Sequence, residues 1–290
     1  MAPEYRAAEI HYLFHSGFAV ETGDFFLIFD YFPHQDKGDE KEKIAAGGNG
    51  LAVPYGSVNV SSGSIGKGEA GREGSDLPDG VVTPESFNGR LRPYVFASHG
   101  HWDHFSPCIL DWYKANSNIR YVLSSDILKK ISRKHRVPKN SIIIAEPYQT
   151  IKEEGLTIKT FGSTDVGVSF LIEANGLGIF HAGDLNWWHW ADESTAEELM
   201  DEEARFKREI GRLTGERVDI AFFPVDPRLG RHYCLGGEYF IKTLRPGVFF
   251  PMHFAEHHNI TQKFADEFST EATRVIAINR RGQRTECFFP

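Results

Sequence analysis

Apolar residues in this chain fall in short runs divided by turn residues, and the period of each run predicts its element. Residues 9–30 alternate apolar runs with Gly17 and Thr22-Gly23-Asp24, the pattern of strand, turn, strand, strand. Tyr94-Val95-Phe96-Ala97 is unbroken and reads as a strand buried on both faces. Further strands are expected at 119–123, 141–145, 156–161, 218–224, 248–252, 274–278 and 284–288. Runs at 168–173 and 178–181 flank Asn175-Gly176, a strong hairpin signal. Helical patterns occupy 106–115, 126–135, 192–212, 236–244 and 260–268. Ser106 can cap the first, with Pro107 at its opening position. The helix at 192–212 is acidic early and basic late, as the helix dipole favours, and Thr195 and Glu198 have capping-box spacing. Strands mixed with helices in this way predict a layered α/β protein.

The pattern fails from Pro33 to about Leu91. A charge run at 36–43 is followed by Gly- and Ser-rich stretches that cannot bury much apolar surface. The reading is one domain over 1–290 with a Gly-rich surface insertion at about 34–91, either a passive loop, a lid over a site, or a contact with another subunit. None of its glycines forms a Walker loop. A net charge of −8 makes a nucleic-acid backbone an unexpected partner. Three scattered cysteines, Cys108, Cys234 and Cys287, argue against a disulfide framework and predict a reducing compartment. With no apolar leader and no span long enough for a bilayer, a cytoplasmic location without membrane partners is expected. The oligomeric state is not written in the sequence.

Chemistry concentrates in Ser98-His99-Gly100-His101-Trp102-Asp103-His104-Phe105. This stretch follows the 94–97 strand directly, where α/β sheets place ligand sites. Alternate side chains of extended backbone share a face, so His99, His101 and Asp103 can converge, with His104 swinging in as the chain turns. Imidazoles and carboxylates at this spacing suit zinc. His15 interrupts an apolar run and reads first as structural. After the 218–224 strand come Asp226, Arg228 and Arg231. An Arg fork there favours a phosphate or carboxylate on a substrate, while an Asp226–Arg228 pair that only shapes the loop is an equal reading. Trp187, Trp188 and Trp190 form a pocket wall or a core plug. His189 among them is a candidate proton carrier or substrate contact.

The octapeptide resembles the His-x-His-x-Asp-His signature of the metallo-β-lactamase superfamily. Phe180-His181-Ala182-Gly183-Asp184 and Phe250-Pro251-Met252-His253-Phe254 resemble its later metal-binding segments. The runs Tyr12-Leu13-Phe14-His15-Ser16-Gly17-Phe18-Ala19-Val20 and Leu27-Ile28-Phe29-Asp30 look like the opening strands of the UlaG-like lactonase branch. The resemblance implies a four-layer αββα sandwich. It implies metal ligands His99, His101, Asp103, His104, Asp184 and His253, with Asp184 bridging two ions. Asp103 and Asp184 would be the catalytic carboxylates. The pattern breaks at Gly162-Ser163-Thr164-Asp165, where Ser163 stands at the family's third histidine position. The resemblance leaves His99, His101 and Asp184 in the first site, with Asp165 the expected replacement ligand; a water held by Ser163 and Thr164, or only the second site of Asp103, His104, Asp184 and His253 filled, are the other outcomes. One or two divalent ions are expected, zinc first and manganese or iron next, since a carboxylate hardens the site. The function implied is hydrolysis of an ester, lactone or phosphodiester in a small acidic molecule. A metal-binding protein without catalysis and a nuclease are the alternatives.

Overall fold

The structure is a computed structural model, and it describes residues 6–33, 77–132 and 135–290. Fourteen strands form two seven-stranded sheets. The first holds β1 (Arg6–Phe14), β2 (Gly17–Thr22), β3 (Phe25–Phe29), β4 (Arg92–Ala97), β5 (Arg120–Ser124), β6 (Ile142–Ala145) and β14 (Arg284–Phe289), in the order β14-β1-β2-β3-β4-β5-β6. The second holds β7 (Thr150–Glu153), β8 (Leu156–Phe161), β9 (Ser169–Ala174), β10 (Leu177–His181), β11 (Ile220–Pro224), β12 (Val248–Met252) and β13 (Arg274–Val275), in the order β13-β12-β11-β10-β9-β8-β7.

Each sheet is half antiparallel and half parallel. Hairpins join β1 to β2, β2 to β3, β7 to β8, β8 to β9 and β9 to β10. Parallel pairs run β3-β4-β5-β6 and β10-β11-β12-β13. Parallel neighbours need crossovers, and in the second sheet these are α1 (Ala196–Arg212), α2 (Leu235–Leu244) and α3 (His258–Phe268).

Strand alternation makes the layers. Phe25, Leu27 and Phe29 of β3 enter the core between the sheets, while Phe26 and Ile28 enter a second core on the outer face. Tyr94 and Phe96 of β4 face inward, Val95 and Ala97 outward. Burial on both faces is why these strands read as unbroken apolar runs. Phe206 of α1, Phe240 of α2 and Phe264 of α3 cover the second sheet. The outer layer of the first sheet is thinner than an α-helical layer. Pro107–Lys114 and Ser125–Lys130, expected as helices, are 3-10 segments, with Ile109, Leu110, Trp112 and Ile127 buried on the sheet. Ser106 does accept a hydrogen bond from the Cys108 N–H. The αββα layering therefore holds, with one of its helical layers built of tight turns.

The expected insertion lies outside the described residues over 34–76. Its last part, 77–91, departs from the surface reading, because Leu77, Val82 and Phe87 are buried in the outer core. Strand β7 went unpredicted: Thr-Ile-Lys-Glu at a sheet edge has only one apolar residue to signal it. The three cysteines are free. No helix among the described residues is long and apolar enough to cross a membrane.

Candidate metal centre

The parallel strands of both sheets end on one rim of the sandwich. Asp30 follows β3, the His99–His104 turn follows β4, Asp184 follows β10, Asp226 follows β11 and His253 follows β12. His15 sits in the β1–β2 turn on the same rim. His15, Asp30 and His253 have φ of 53°, 42° and 64°, a left-handed backbone that side chains rarely adopt. Strain of this kind collects at functional sites, where the surrounding structure enforces it.

Two separate sets of ligand atoms form there, each lying within 4.8 Å of one another, and Asp30, His99 and His104 make a third that overlaps both. The first is His99, His101, Asp165 and Asp184; the second is His15, Asp103, His104 and His253. Asp184 stands between them. Its Oδ2 is 3.3 Å from His99 Nε2, and its Oδ1 is 3.0 Å from His104 Nε2 and 3.3 Å from His253 Nε2. His101 Nδ1 is 3.5 Å from Asp165 Oδ2 and 3.0 Å from His99 Nε2. Asp103 does not share the face of His99 and His101 that strand alternation predicted. The chain turns at once, with the His104 and Phe105 N–H groups donating to the His101 carbonyl, and Asp103 leaves with His104.

The imidazole tautomers follow from their outer hydrogen bonds. His104 Nδ1 lies 2.7 Å from Asp30 Oδ2, and His253 Nδ1 lies 2.9 Å from Asp226 Oδ2. Each Nδ1 donates to a buried carboxylate, so each Nε2 directs a lone pair at Asp184. His104 Nε2 and Asp184 Oδ1 are buried and have no aligned hydrogen-bond partner, and His15 Nε2 is in the same state. Lone pairs facing a carboxylate at 3 Å repel unless a cation or a proton lies between them. This donor set therefore fits divalent ions. In the metal-free protein a proton does that work. Burial works against the His104 imidazolium, but Asp184 and Asp30 outweigh it and hold its pKa well above the ordinary value. Burial likewise opposes the Asp184 carboxylate, and His104 and His253 reverse the balance to hold it well below. His15 is held down at about 4 by burial and by His253.

Of the two equal readings of Asp226, the structure shows the pair with Arg228: the carboxylate is fully buried and accepts from the Arg228 guanidinium, and it also accepts from His253 Nδ1 and so orients that ring. Arg228 lines the cleft over the centre, together with Trp188 and Trp190. Trp188 and Trp190 stack at an interplanar angle of 3°, and Trp188 Nε1 donates to the Asp184 carbonyl. Trp187 packs instead against Phe206 and Tyr239. His189 turns away from the cleft to face His232 in a neighbouring cavity. His15, read from the sequence as structural, stands in the second ligand set, its Nε2 3.5 Å from Asp103 Oδ2.

The sequence pattern assigns Asp30 no role. Its buried carboxylate accepts from the Ser98 N–H at 2.7 Å, the Ser98 hydroxyl at 2.6 Å and His104. A charged residue closing the apolar run 25–29 is the signal that could have found it. The Thr164 hydroxyl donates to the Asn186 carbonyl and accepts from its N–H, tying the Asp165 loop to the Asp184 loop. Arg205 of α1 donates to the Thr164 carbonyl from the other side. Gly167, at φ +80°, lets that loop meet β4: a Cβ there would lie 2.1 Å from the Ser98 carbonyl oxygen and 2.5 Å from His99 Cβ.

No family profile matches the chain, and no curated protein matches it in sequence. Solved structures match it in architecture. The metallo hydrolase Igni18 from the archaeon Ignicoccus hospitalis aligns over 98% of this chain and 100% of its own, at 18% identity and a TM-score of 0.57. The metallo-β-lactamase fold protein YhfI from Bacillus subtilis aligns over 97% of this chain and 100% of its own, at 14% identity and 0.54. CmlA, a diiron β-hydroxylase from Streptomyces venezuelae, aligns over 99% of this chain but 55% of its own, at 11% identity and 0.53. Two mixed sheets, outer helical layers and a histidine-rich rim at the strand ends give this chain the metallo-β-lactamase fold.

Proposed function

We propose that this chain is a metal-dependent hydrolase that cleaves an ester, lactone or phosphodiester of a small molecule bearing an acidic group. The observation that carries the reading is Asp184, whose two carboxylate oxygens divide between two ligand sets. His99, His101 and Asp165 would hold one ion, His104, His253, Asp103 and His15 the other, and Asp184 both. When bound, such ions lower the pKa of a coordinated water toward neutral and polarise a carbonyl or phosphoryl oxygen. Asp103 lines the cleft, and its pKa is lowered because the His15 hydrogen bond and the neighbouring imidazoles outweigh its burial. It is therefore an ionised hydrogen-bond acceptor that can orient the attacking water. His101 and Asp165 are partly exposed and Asp103 lines the cleft, so substrate reaches the centre from solvent, while His104 is fully buried. Trp188 and Trp190 give the bound molecule an apolar wall that limits water.

A nuclease role is disfavoured by charge, since Glu198 and Glu202 of α1 line the cleft and would repel a polyanion. A second reading rests on Asp165. Two imidazoles with the carboxylates of Asp165 and Asp184 make a harder donor set that also suits iron, and one protein of similar fold is a diiron hydroxylase. The test is elemental analysis of protein purified without added metal, paired with a panel of esters, lactones and phosphodiesters before and after chelation. Near two ions per chain with chelator-sensitive turnover supports the hydrolase. Iron with substrate-dependent oxygen uptake supports the second reading. Full metal occupancy with neither activity refutes both and leaves a metal-binding protein.

A further inference from the structure

Charge in the metal cleft is divided. Glu198 and Glu202 line the cleft from α1, and Arg228 lines it from the segment that follows β11. Arg228 and Trp190 also line a second cavity of about 460 Å³, walled by 189–193 and 228–232. Its size is that of a small-molecule site. Arg228 keeps its Nε and Nη2 on Asp226 and lies over the Trp190 ring, with its centre 5.6 Å from the centroid. Its side chain is 60% exposed and its Nη1 makes none of these bonds, so part of the fork remains for a ligand. Arg231 has no carboxylate partner among the described residues; its Nε donates to His232 Nε2. That bond makes His232 Nε2 an acceptor, so a neutral His232 carries its proton on Nδ1. His189 packs on His232 at 4.3 Å between ring centroids, and its Nδ1 is buried without a partner. Asp192 and Glu193 complete the wall with carboxylate acceptors.

We propose that this cavity is an oxyanion subsite, in which Arg228 and Arg231 hold a phosphate or carboxylate while Asp192 and Glu193 accept hydroxyl or amine protons from the same molecule. As the anchor for the far end of a substrate it rests on the hydrolase reading, because Arg228 and Trp190 make it continuous with the cleft. As a binding site it does not, because none of its lining residues belongs to either ligand set. Acidic residues on α1 would turn an anionic arm away from that wall and toward the arginines.

The test uses the full chain stripped of metal by chelation. Inorganic phosphate and D-glycerate are titrated separately, with the imidazole nitrogen signals of His189 and His232 followed by NMR. The expected result is saturable shifts at both imidazoles, an affinity weakened at least tenfold by Arg231→Gln, and a phosphate affinity raised by Asp192→Asn. Shifts with phosphate alone assign a phosphate ligand, and shifts with glycerate alone assign a hydroxy acid; either supports the subsite. No shift with either probe, or an affinity unchanged by Arg231→Gln in a folded variant, overturns it. Failure of the hydrolase reading shows separately, as absent turnover in metal-loaded protein whose cavity still binds the probe.

Discussion

Asp30→Asn tests whether the buried carboxylate behind His104 sets its tautomer. In the native site one Asp30 oxygen accepts from the Ser98 N–H, and the other accepts from the Ser98 hydroxyl and from His104 Nδ1. An asparagine that keeps its oxygen on the Ser98 N–H turns its NH2 toward His104 Nδ1. Two donors then face each other. The Ser98 hydroxyl can rotate, but His104 escapes only by giving up its Nδ1 proton and keeping its remaining proton on Nε2. That nitrogen is the one 3.0 Å from Asp184 Oδ1, so the proton occupies the place of an ion. Loss of such an outer partner lowers metal affinity by about 10- to 100-fold, or about 1.4 to 2.7 kcal/mol. Losing a charge-assisted hydrogen bond adds about 1.5 to 3 kcal/mol of destabilisation. The assay is chelator competition, with NMR of the His104 ring nitrogens on metal-free protein. The second set should weaken and the His99–His101–Asp165 set should hold. Affinity within about threefold of the native value, with Nδ1 still protonated, would refute the tautomer argument.

Four further outcomes are expected. Asp184→Ala should remove metal and activity together, since it parts both sets, and elemental analysis showing full metal retention would rule out a bridging role. Asp165→Ala should lower occupancy of the first set alone, by about tenfold or more, whereas Asp165→His should restore it; unchanged metal content in the alanine variant would exclude Asp165 as a ligand. In metal-free protein His15 should make stability acid-sensitive. Its folded pKa of about 4 lies below its ordinary 6.5, so between these values the unfolded chain binds more protons. Stability is full above pH 6.5 and falls as pH drops toward 4, by up to about 3 kcal/mol; urea midpoints at pH 7 and 5 should show this in the native protein and not in His15→Gln. Gly167→Ala should cost about 3 kcal/mol through its left-handed backbone and the overlap with Ser98, and thermal unfolding within two degrees of the native midpoint would count against that packing.

The chain's pattern by itself determined the order of nearly all its elements, because buried strands write unbroken apolar runs and hairpins write Gly and Asn-Gly turns. It also marked His99, His101, Asp103 and His104, since a cluster of histidines and carboxylates at a strand end is rare enough to stand out, whereas Asp184 and His253 entered only through the family resemblance. Local pattern misled where the competing answer depended on neighbours. Pro107–Lys114 and Ser125–Lys130 carry helical spacing, but only their fit over the first sheet makes them 3-10 turns. His15 looks like a packed histidine in its own run, and becomes a site residue only because β1 and β12 end together, with the His253 N–H donating to the His15 carbonyl. Asp226 reads equally as a substrate contact or as a partner of Arg228, and only β11 lying beside β12 brings its carboxylate to His253 as well. Tertiary structure also decided how the ligands divide. Spacing along 99–104 puts four donors within reach of one ion, whereas the turn at His101 sends two to each side of Asp184. Which atoms face one another depends on how two sheets from distant parts of the chain meet at one rim, and no local period encodes that distance.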